Sequence, residues 1–406
     1  MRRNLISAFS LILVALPAAA QVTGAPAQPA AAPVIDSGIK TLVGRLDLEK
    51  YKSTIKGLTQ FGDRRQGTDR NRAAVDWIEA QLKSYGCSNT ERIRYEYKGR
   101  QLNISPDSAR AQAARRAAAA ARLPQKGYRA RTGVNTNPEL QPDTALRRIN
   151  AQPDTPGPRE EVYCTKLGGT HPEEMYLIGA HMDGHGFGAA ANDDGSGTAL
   201  VMELARVFSA PDVVTERSIR FALWNNEETG LNGARAYVEQ RKDLQGKEDP
   251  PGSGKYPEPK WLGMIQHDMM LFDHGMPGSD GKLNPEQRRE ADVNIEFAGN
   301  SKFAAEAQKL AWLFRVANDR YATDYPANVG DRMSNTDSGP FQDLVAALSL
   351  RENERLRDIG SGWDPQWHQP TDVYGTYSDK DFLLGLNAAQ TTLAAVAQLT
   401  GAKLKL

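Results

Sequence analysis

The sequence is short of cysteine, of net charge and of long apolar runs, and each shortage argues against a class of protein. Its 406 residues include 50 basic and 50 acidic side chains, so no charge excess favours nucleic acid or an acidic membrane as a partner. Only two cysteines are present, Cys87 and Cys164, and the clusters of potential metal ligands described below contain neither. Beyond the N-terminal segment, no apolar run approaches the ~20 residues that a membrane-spanning helix needs.

The N-terminus has the pattern of a secretory signal peptide. Arginines at positions 2 and 3 precede an apolar stretch over residues 5–17, and alanines at 18–20 form a cleavage site. We therefore predict a signal peptide over residues 1–20, an Ala/Pro-rich linker over 21–38, and a secreted or periplasmic protein with no integral membrane segment after cleavage. An uncleaved anchor is the alternative. In an oxidising compartment the two cysteines could pair, but the sequence does not show their separation.

Most of the remaining chain fits one large domain. Apolar residues recur at helical spacing between Leu48 and Tyr85, and strands alternate with helices from Glu161 onward, which predicts an α/β sheet. We place a single domain over residues 39–406, interrupted at 106–158 by an insertion that is rich first in Ala and Arg and then in Pro, Asn and Asp. The insertion is predicted to be a solvated helix or a disordered segment, with a docking role for its arginines as the alternative.

Acidic residues and histidines follow directly after several predicted strands. A His-Met-Asp motif at 181–183 follows one strand, a Glu pair at 227–228 follows another and Asp268 follows a third, while an Asn-Asp-Asp motif at 192–194 precedes a long apolar helix. Open α/β sheets place their ligand sites outside the carboxyl ends of the strands. We therefore expect these side chains to meet at one edge of the sheet.

The ligand types favour a pair of zinc ions. Zinc binds imidazole nitrogen and carboxylate oxygen at about 2.0–2.2 Å, and catalytic sites keep one position open. The two ions of a cocatalytic pair lie about 3.5–4 Å apart. We assign one ion to His181, Asp193 and Asp268 and the other to Asp193, Glu228 and His368, with the Asp193 carboxylate bridging the two.

Two further carboxylates are predicted to take part in catalysis without binding metal. Asp183 lies two residues after His181, where it should hydrogen-bond the imidazole of a metal ligand. Glu227 points away from its neighbour Glu228 in an extended segment, which frees it to act as a general base that accepts a proton and passes it to a leaving amine. A Glu pair alone is as typical of a protein surface, so the prediction of hydrolysis depends on the whole ligand set.

The other histidines are predicted to lie outside the chemistry. His185 falls in a glycine-rich loop and is interpreted as a solvated residue, with a place at the entrance of the site as the alternative. His267 should point to the face of its strand opposite to Asp268 and be structural. His171 is predicted to lie in a turn, and His274 has no predicted place.

Taken together, these motifs resemble those of the M28-type zinc peptidases, the family that contains bacterial aminopeptidases, glutamate carboxypeptidase-like enzymes and glutaminyl cyclases. The resemblance covers roughly Ile39 to Leu399. It is carried by Gly67-Thr68, His181-Met182-Asp183, the run Asn192 to Gly197, the run Asn226 to Ala234, Asp268-Met269, and the run Trp367 to Asp372. It implies a three-layer α/β/α sandwich around a mixed, mostly parallel β-sheet, a catalytic domain with two zinc ions on the ligands named above, and hydrolysis of a peptide substrate.

Within that family the chain is more similar to the peptidases than to the cyclases. Glu-Glu-Thr-Gly-Leu at 227–231 looks like the peptidase branch, whereas Trp367 before His368 also occurs in cyclases. We predict a zinc aminopeptidase; a carboxypeptidase-like enzyme, a glutaminyl cyclase and a metal-free binding protein on the same scaffold are the alternatives. Many members carry a histidine in the stretch that reads Thr-Asp-Ser-Gly-Pro-Phe at 336–341 here, so the group that helps to stabilise the oxyanion is not identified.

Overall fold

A computed structural model describes residues 35–99, 133–272, 293–333, 335–352 and 364–405. The predicted signal peptide, most of the linker, the Ala/Arg-rich part of the insertion and His274 lie outside the described residues. The described helices are α1 (Ser37–Val43), α2 (Leu48–Thr59), α3 (Asp69–Ser84), α4 (Thr144–Asn150), α5 (Gly195–Phe208), α6 (Asn232–Arg241), α7 (Ala304–Tyr321) and α8 (Asp379–Thr400). The described strands are β1 (Thr90–Tyr97), β2 (Gly157–Lys166), β3 (His171–His181), β4 (Val213–Val214), β5 (Arg217–Trp224), β6 (Lys260–His267), β7 (Val293–Phe297), β8 (Ala327–Gly330), β9 (Ala347–Arg351) and β10 (Lys403–Leu404).

Eight of these strands form one mixed sheet, in the order β1-β2-β5-β3-β6-β9-β7-β8. The four central strands, β5, β3, β6 and β9, are parallel to one another. Antiparallel neighbours flank them, with β2 beside β5 and β7 beside β9. The mixed, mostly parallel sheet that the resemblance implied is confirmed.

Helices cover both faces of the sheet because successive strand residues point to opposite sides. In β3, Ile178 and Ala180 belong to a large apolar cluster formed with α1, α2, α3, α5, α7 and α8. Met175 and Leu177, which alternate with them, belong to a second cluster that includes α6. Strands buried on both faces are continuous apolar runs in the sequence, and the three-layer sandwich follows from this burial.

Helix α8 is long and apolar enough to cross a membrane, with 22 residues. The expectation that no segment beyond the N-terminus would approach such a length was wrong. The apolar window of α8 is 78% buried inside the protein, and Leu384, Leu393 and Val396 belong to the large apolar cluster. Burial in the core explains its composition, because a helix packed on all sides is apolar all round.

A disulfide joins the α3 layer to the sheet. Cys87 follows α3 and Cys164 lies in β2, with their Cα atoms 6.0 Å apart. Both residues are buried in the large apolar cluster. The sequence had left this pairing open, since the two cysteines are 77 residues apart.

Candidate metal centre

The candidate site forms where the central parallel strands end. In the registers of the sheet, His181 at the end of β3 pairs with Trp224 at the end of β5, and Ala180 pairs with His267 at the end of β6. The residues that follow these strand ends therefore emerge side by side. This is the edge at which the sequence placed the ligands.

The first group of predicted ligands, His181, Asp193 and Asp268, comes together beyond β3. His181 Nε2 lies 3.3 Å from Asp193 Oδ1 and 3.8 Å from Asp268 Oδ1. All three side chains are buried, and their donor atoms lie within 4.8 Å of one another. They can therefore face a common cation.

The second group, Asp193, Glu228 and His368, shares Asp193 with the first. His368 Nε2 lies 2.9 Å from Asp193 Oδ2 and 2.9 Å from Glu228 Oε2. Asp193 thus turns Oδ1 towards His181 and Oδ2 towards His368, as a bridging carboxylate must. The structure brings all five predicted ligands into one cluster.

The donors fit zinc in type and in spacing. Zinc accepts imidazole nitrogens and carboxylate oxygens, and around an ion at its usual bond lengths such atoms stand about 3.3–3.6 Å apart. The donor atoms of the two groups are separated by 2.9–3.8 Å. In addition, Glu228 Oε1 is buried without a hydrogen-bond partner among the described residues. Such an oxygen is costly unless a cation or a water molecule satisfies it.

The charges in the cluster separate the pKa values of neighbouring carboxyl groups. Burial raises the pKa of Glu227 well above its usual range, and Glu228 adds to the effect, while His181 opposes it. For Glu228 burial acts in the same direction, but the fields of His185 and His368 lower its pKa to about 2. Glu228 is therefore held ionised, as a ligand must be, whereas Glu227 accepts a proton more readily than an ordinary carboxylate.

The carboxylate partners of His368 raise the pKa of its imidazole. Burial alone would lower its pKa, but the charge of Glu228 and the hydrogen bonds to Asp193 and Glu228 raise it to about 10. Burial likewise opposes the protonation of His181, yet Glu227, Asp193 and Asp268 raise its pKa well above the usual range. The cluster thus attracts positive charge, whether protons or metal ions.

Asp194 holds the three segments that carry the first group. It caps the N-terminus of α5 through a hydrogen bond from Gly197 N to Oδ1 at 2.9 Å. Oδ1 also accepts from Met269 N at 3.1 Å, and Oδ2 accepts from His181 N at 3.2 Å. One buried side chain therefore positions the end of β3, the start of α5 and the segment after β6.

Asp183 was predicted to hydrogen-bond the imidazole of a metal ligand, but its carboxylate makes no hydrogen bond to His181. His181 Nδ1 donates to the main-chain carbonyl oxygen of Asp183 at 2.9 Å, whereas the nearest carboxylate oxygen is 3.9 Å away. The chain turns back directly after β3, which brings the carbonyl closer to the ring than the side chain. This bond still leaves Nε2 free for a metal. The carboxylate instead accepts from Glu227 N at 3.0 Å, and burial raises its pKa to about 6.

Arg351 brings a buried positive charge to the site, and the sequence analysis missed it. It ends β9, a strand that was not predicted because its apolar run is only a few residues long. Arg351 Nη2 lies 2.7 Å from Asp268 Oδ2, and its Nε is buried without a partner in the part of the chain that the structure describes. The guanidinium therefore neutralises part of the carboxylate charge of the first group.

His185 lies in the site and not in solvent. Its Nε2 is 3.1 Å from Glu228 Oε2 and 3.2 Å from His368 Nε2. Only 14% of its side chain is exposed. The prediction of a solvated loop residue was wrong because contacts with distant parts of the chain hold this loop inward.

Arg64 makes several of those contacts from a fully buried position. Its Nε donates to Met182 O at 2.7 Å, and its two terminal nitrogens donate to Ala189 O at 2.9 Å and Ala190 O at 2.7 Å. A buried charge is tolerated when such acceptors surround it. Arg64 thus shapes the loop that follows β3.

The described end of the predicted insertion joins two loops of the site, at 184–190 and 366–372. Gln141 is buried, and its Nε2 donates to Phe187 O and to Pro370 O, both at 2.8 Å. One amide group thus connects the loop that carries His185 with the loop that carries the last predicted ligand.

Three further positions, Ser338, His267 and His171, lie in the core or in a strand. Ser338 is buried, and its Oγ lies 2.7 Å from Ser349 Oγ. His267 is structural as predicted: its Nε2 lies 2.8 Å from Thr392 Oγ1, and burial lowers its pKa to about 4. His171 begins β3 and does not lie in a turn.

The chain is similar to known peptidases in sequence. The profile of "Peptidase family M28" matches residues 162–392. Aminopeptidase YwaD of Bacillus subtilis (strain 168) is 40% identical over 75 residues, which make up 18% of this chain and 16% of that protein. Carboxypeptidase Q of Mus musculus is 35% identical over 75 residues, again 18% of this chain and 16% of that protein. The matches thus span about one sixth of the length of these curated relatives.

The fold is also that of a solved aminopeptidase. The aminopeptidase from Aneurinibacillus sp. strain AM-1 superposes with a TM-score of 0.60 at 20% sequence identity, over 89% of this chain and 96% of that chain. At this identity the likeness is one of fold. The α/β/α sandwich of this chain is therefore the fold of a solved aminopeptidase.

Proposed function

This chain belongs to peptidase family M28, and on that premise we propose that it is a secreted or periplasmic zinc aminopeptidase that removes N-terminal residues from peptides. One observation carries the proposal. Two imidazoles and three carboxylates face one another in a single cluster, and the free carboxylate of Glu227 lines the same cleft.

The first and second groups are the proposed ligands of two zinc ions. Asp193 would serve both, because each of its oxygens faces a different histidine. When bound, zinc polarises a substrate carbonyl and makes water a stronger acid. The mix of imidazole and carboxylate, with no thiol, is the donor set of hydrolytic zinc sites.

Glu227 is the proposed proton carrier. The hydrogen bond from its main-chain N–H to Asp183 holds the segment in place, and the metal ligands surround its side chain. Burial raises the pKa of Glu227, so the carboxylate can hold a proton taken from water before passing it to the leaving amine. Asp183 contributes by positioning this residue, without touching the substrate.

Secretion is supported by the disulfide and by the N-terminal sequence. Disulfides persist in oxidising compartments, and the Cys87–Cys164 bond fits such a place. The predicted signal peptide at residues 1–20 has the required charge, apolar core and small residues. A purified extracellular or periplasmic fraction that lacks the protein would contradict this part of the proposal.

Cleavage of a matched peptide pair tests the reaction. One short peptide carries a free amino terminus and the other is acetylated; both are incubated with the zinc-loaded protein and with the protein after chelation. We expect zinc-dependent release of the first residue from the free peptide only. Release of the last residue, from both peptides, would instead support a carboxypeptidase, the activity for which one curated relative is named. Conversion of an N-terminal glutamine peptide without cleavage would support a cyclase.

A further inference from the structure

The loop between β3 and α5 carries an imidazole that the five-ligand assignment does not use. In this loop, a Cβ on Gly186 would come within 2.3 Å of the His368 carbonyl oxygen, and Gly186 has a φ of +99°. Only glycine permits both the close approach and this backbone conformation. The two backbones therefore pack directly on each other, which places His185 beside His368.

His185 Nε2 faces two donor atoms of the second group. It lies 3.1 Å from Glu228 Oε2 and 3.2 Å from both ring nitrogens of His368, and His368 Nε2 is 2.9 Å from Glu228 Oε2. The two Nε2 atoms and Glu228 Oε2 form a nearly equilateral triangle. Its edges are close to the separation of about 3.3 Å expected for ligands of one tetrahedral zinc ion.

A hydrogen bond to Glu228 Oε2 accounts for one contact of His185 Nε2, but not for its approach to the imidazole of His368. An imidazole Nε2 carries at most one proton, which can form one well-directed hydrogen bond. His185 Nε2 nevertheless has a carboxylate oxygen and an imidazole nitrogen at equal range. The two rings also meet edge to face, with centroids 4.1 Å apart. A cation between the nitrogens and the carboxylate would satisfy all three at once.

We propose that His185 is a sixth metal ligand, which gives the second zinc position four protein ligands. This inference rests on the proposed function, because it concerns the same site. The ligands of the second position are then Asp193, Glu228, His368 and His185. The first position keeps three, namely His181, Asp193 and Asp268.

The two zinc positions would then differ in the number of their protein ligands. A zinc ion with four protein ligands has a closed shell, whereas catalytic sites have three and keep one position for water or substrate. The ion held by His181, Asp193 and Asp268 would then be the one with room for the substrate carbonyl and water, next to Glu227. The second position holds its ion more tightly and serves to fix Asp193. We expect a chelator to remove the first ion well before the second.

Cobalt spectroscopy tests the contact directly. A His185→Cys variant loaded with Co²⁺ should show a near-ultraviolet thiolate-to-cobalt charge-transfer band, because sulfur would replace nitrogen in the coordination shell. His171→Cys is the matched control, since its side chain is 43% exposed at the start of β3. A band in the first variant alone supports the proposal. Bound cobalt with no band in either variant overturns it.

Zinc affinity supplies a second readout. The wild-type protein should retain two ions per chain against a weak chelator, whereas His185→Gln should lose affinity for one of them by more than about 100-fold, the upper limit for loss of an outer partner. Equal affinities in both proteins overturn the proposal. Failure of the proposed function has a different signature: the wild-type protein itself would bind no zinc, or would bind two ions and cleave no peptide.

Discussion

Replacing Arg351 with methionine tests how the site balances its buried charges. Arg351 Nη2 and Asp268 Oδ2 are 2.7 Å apart, with only 4% and 5% of their side chains exposed. Methionine fills much of the space but removes the guanidinium charge from beside the Asp268 carboxylate. Removing one partner of a buried ion pair typically costs about 3–5 kcal/mol. For a folded body of this size, the melting temperature of the metal-free protein should fall by about 4–6 °C.

The same substitution should cost less in the zinc-loaded protein. A cation bound by Asp268 compensates the charge that Arg351 no longer supplies. By linkage, Arg351→Met must then bind zinc more tightly than the wild-type protein; if half of the cost is recovered, the gain is about 2 kcal/mol, or about 30-fold in affinity. A substitution that weakens the fold would thus strengthen metal binding.

Calorimetry of the metal-free and zinc-loaded proteins, with a competition titration for zinc affinity, measures both effects. Arg72→Met is the control, because Arg72 forms an exposed pair with Asp69 on α3. Exposed pairs contribute about 0–1 kcal/mol, so the control should change neither quantity appreciably. An equal loss of stability in both forms of Arg351→Met, with unchanged zinc affinity, would refute the assignment of Asp268 as a ligand.

Three further predictions address the base, the insertion and the pH dependence. Glu227→Gln should retain both zinc ions and the wild-type melting temperature but lose about 10²–10⁴-fold in peptide turnover; turnover within tenfold of the wild-type rate would exclude Glu227 as the base. Gln141→Ala removes the donor to one buried and one partly buried carbonyl, so urea denaturation should show a loss of about 1–3 kcal/mol, and an unchanged free energy of unfolding would contradict the role given to this amide. Burial lowers the pKa of His267 to about 4, so the folded protein binds this proton less readily than the unfolded chain. The stability that depends on neutral His267 is complete above a pH of about 6.5 and is lost as the pH falls towards 4. His267→Gln should therefore flatten the dependence of the free energy of unfolding on pH over that interval. An equally steep curve in the variant would count against this account.

Local patterns were sufficient for three of the four central strands of the sheet and for two of its helices. β3, β5 and β6 are continuous apolar runs because both of their faces are buried, and α5 and α8 repeat apolar residues at helical spacing. β8 and β9 were not predicted. β8 has four residues and β9 has five, and runs this short carry little periodic signal.

The candidate ligands were also accessible from local sequence, because a parallel sheet brings the ends of its strands to one edge. His181, Glu228 and Asp268 were found by their position after apolar runs, and they do meet. The partner of the Asp183 carboxylate was not accessible in this way. Whether the side chain or the carbonyl of that residue reaches the imidazole depends on the turn of the backbone after β3.

The sequence by itself therefore determined the strands β3, β5 and β6, the types of metal ligand and their expected place at the strand ends, since these follow from periodicity and from the chemistry of single side chains. Only the tertiary structure decided that His185 faces His368, that Arg351 neutralises Asp268, and that Gln141 joins the two loops. Each of these contacts links residues far apart in the chain. Their distances depend on how closely two backbones approach, which no local pattern of residues encodes.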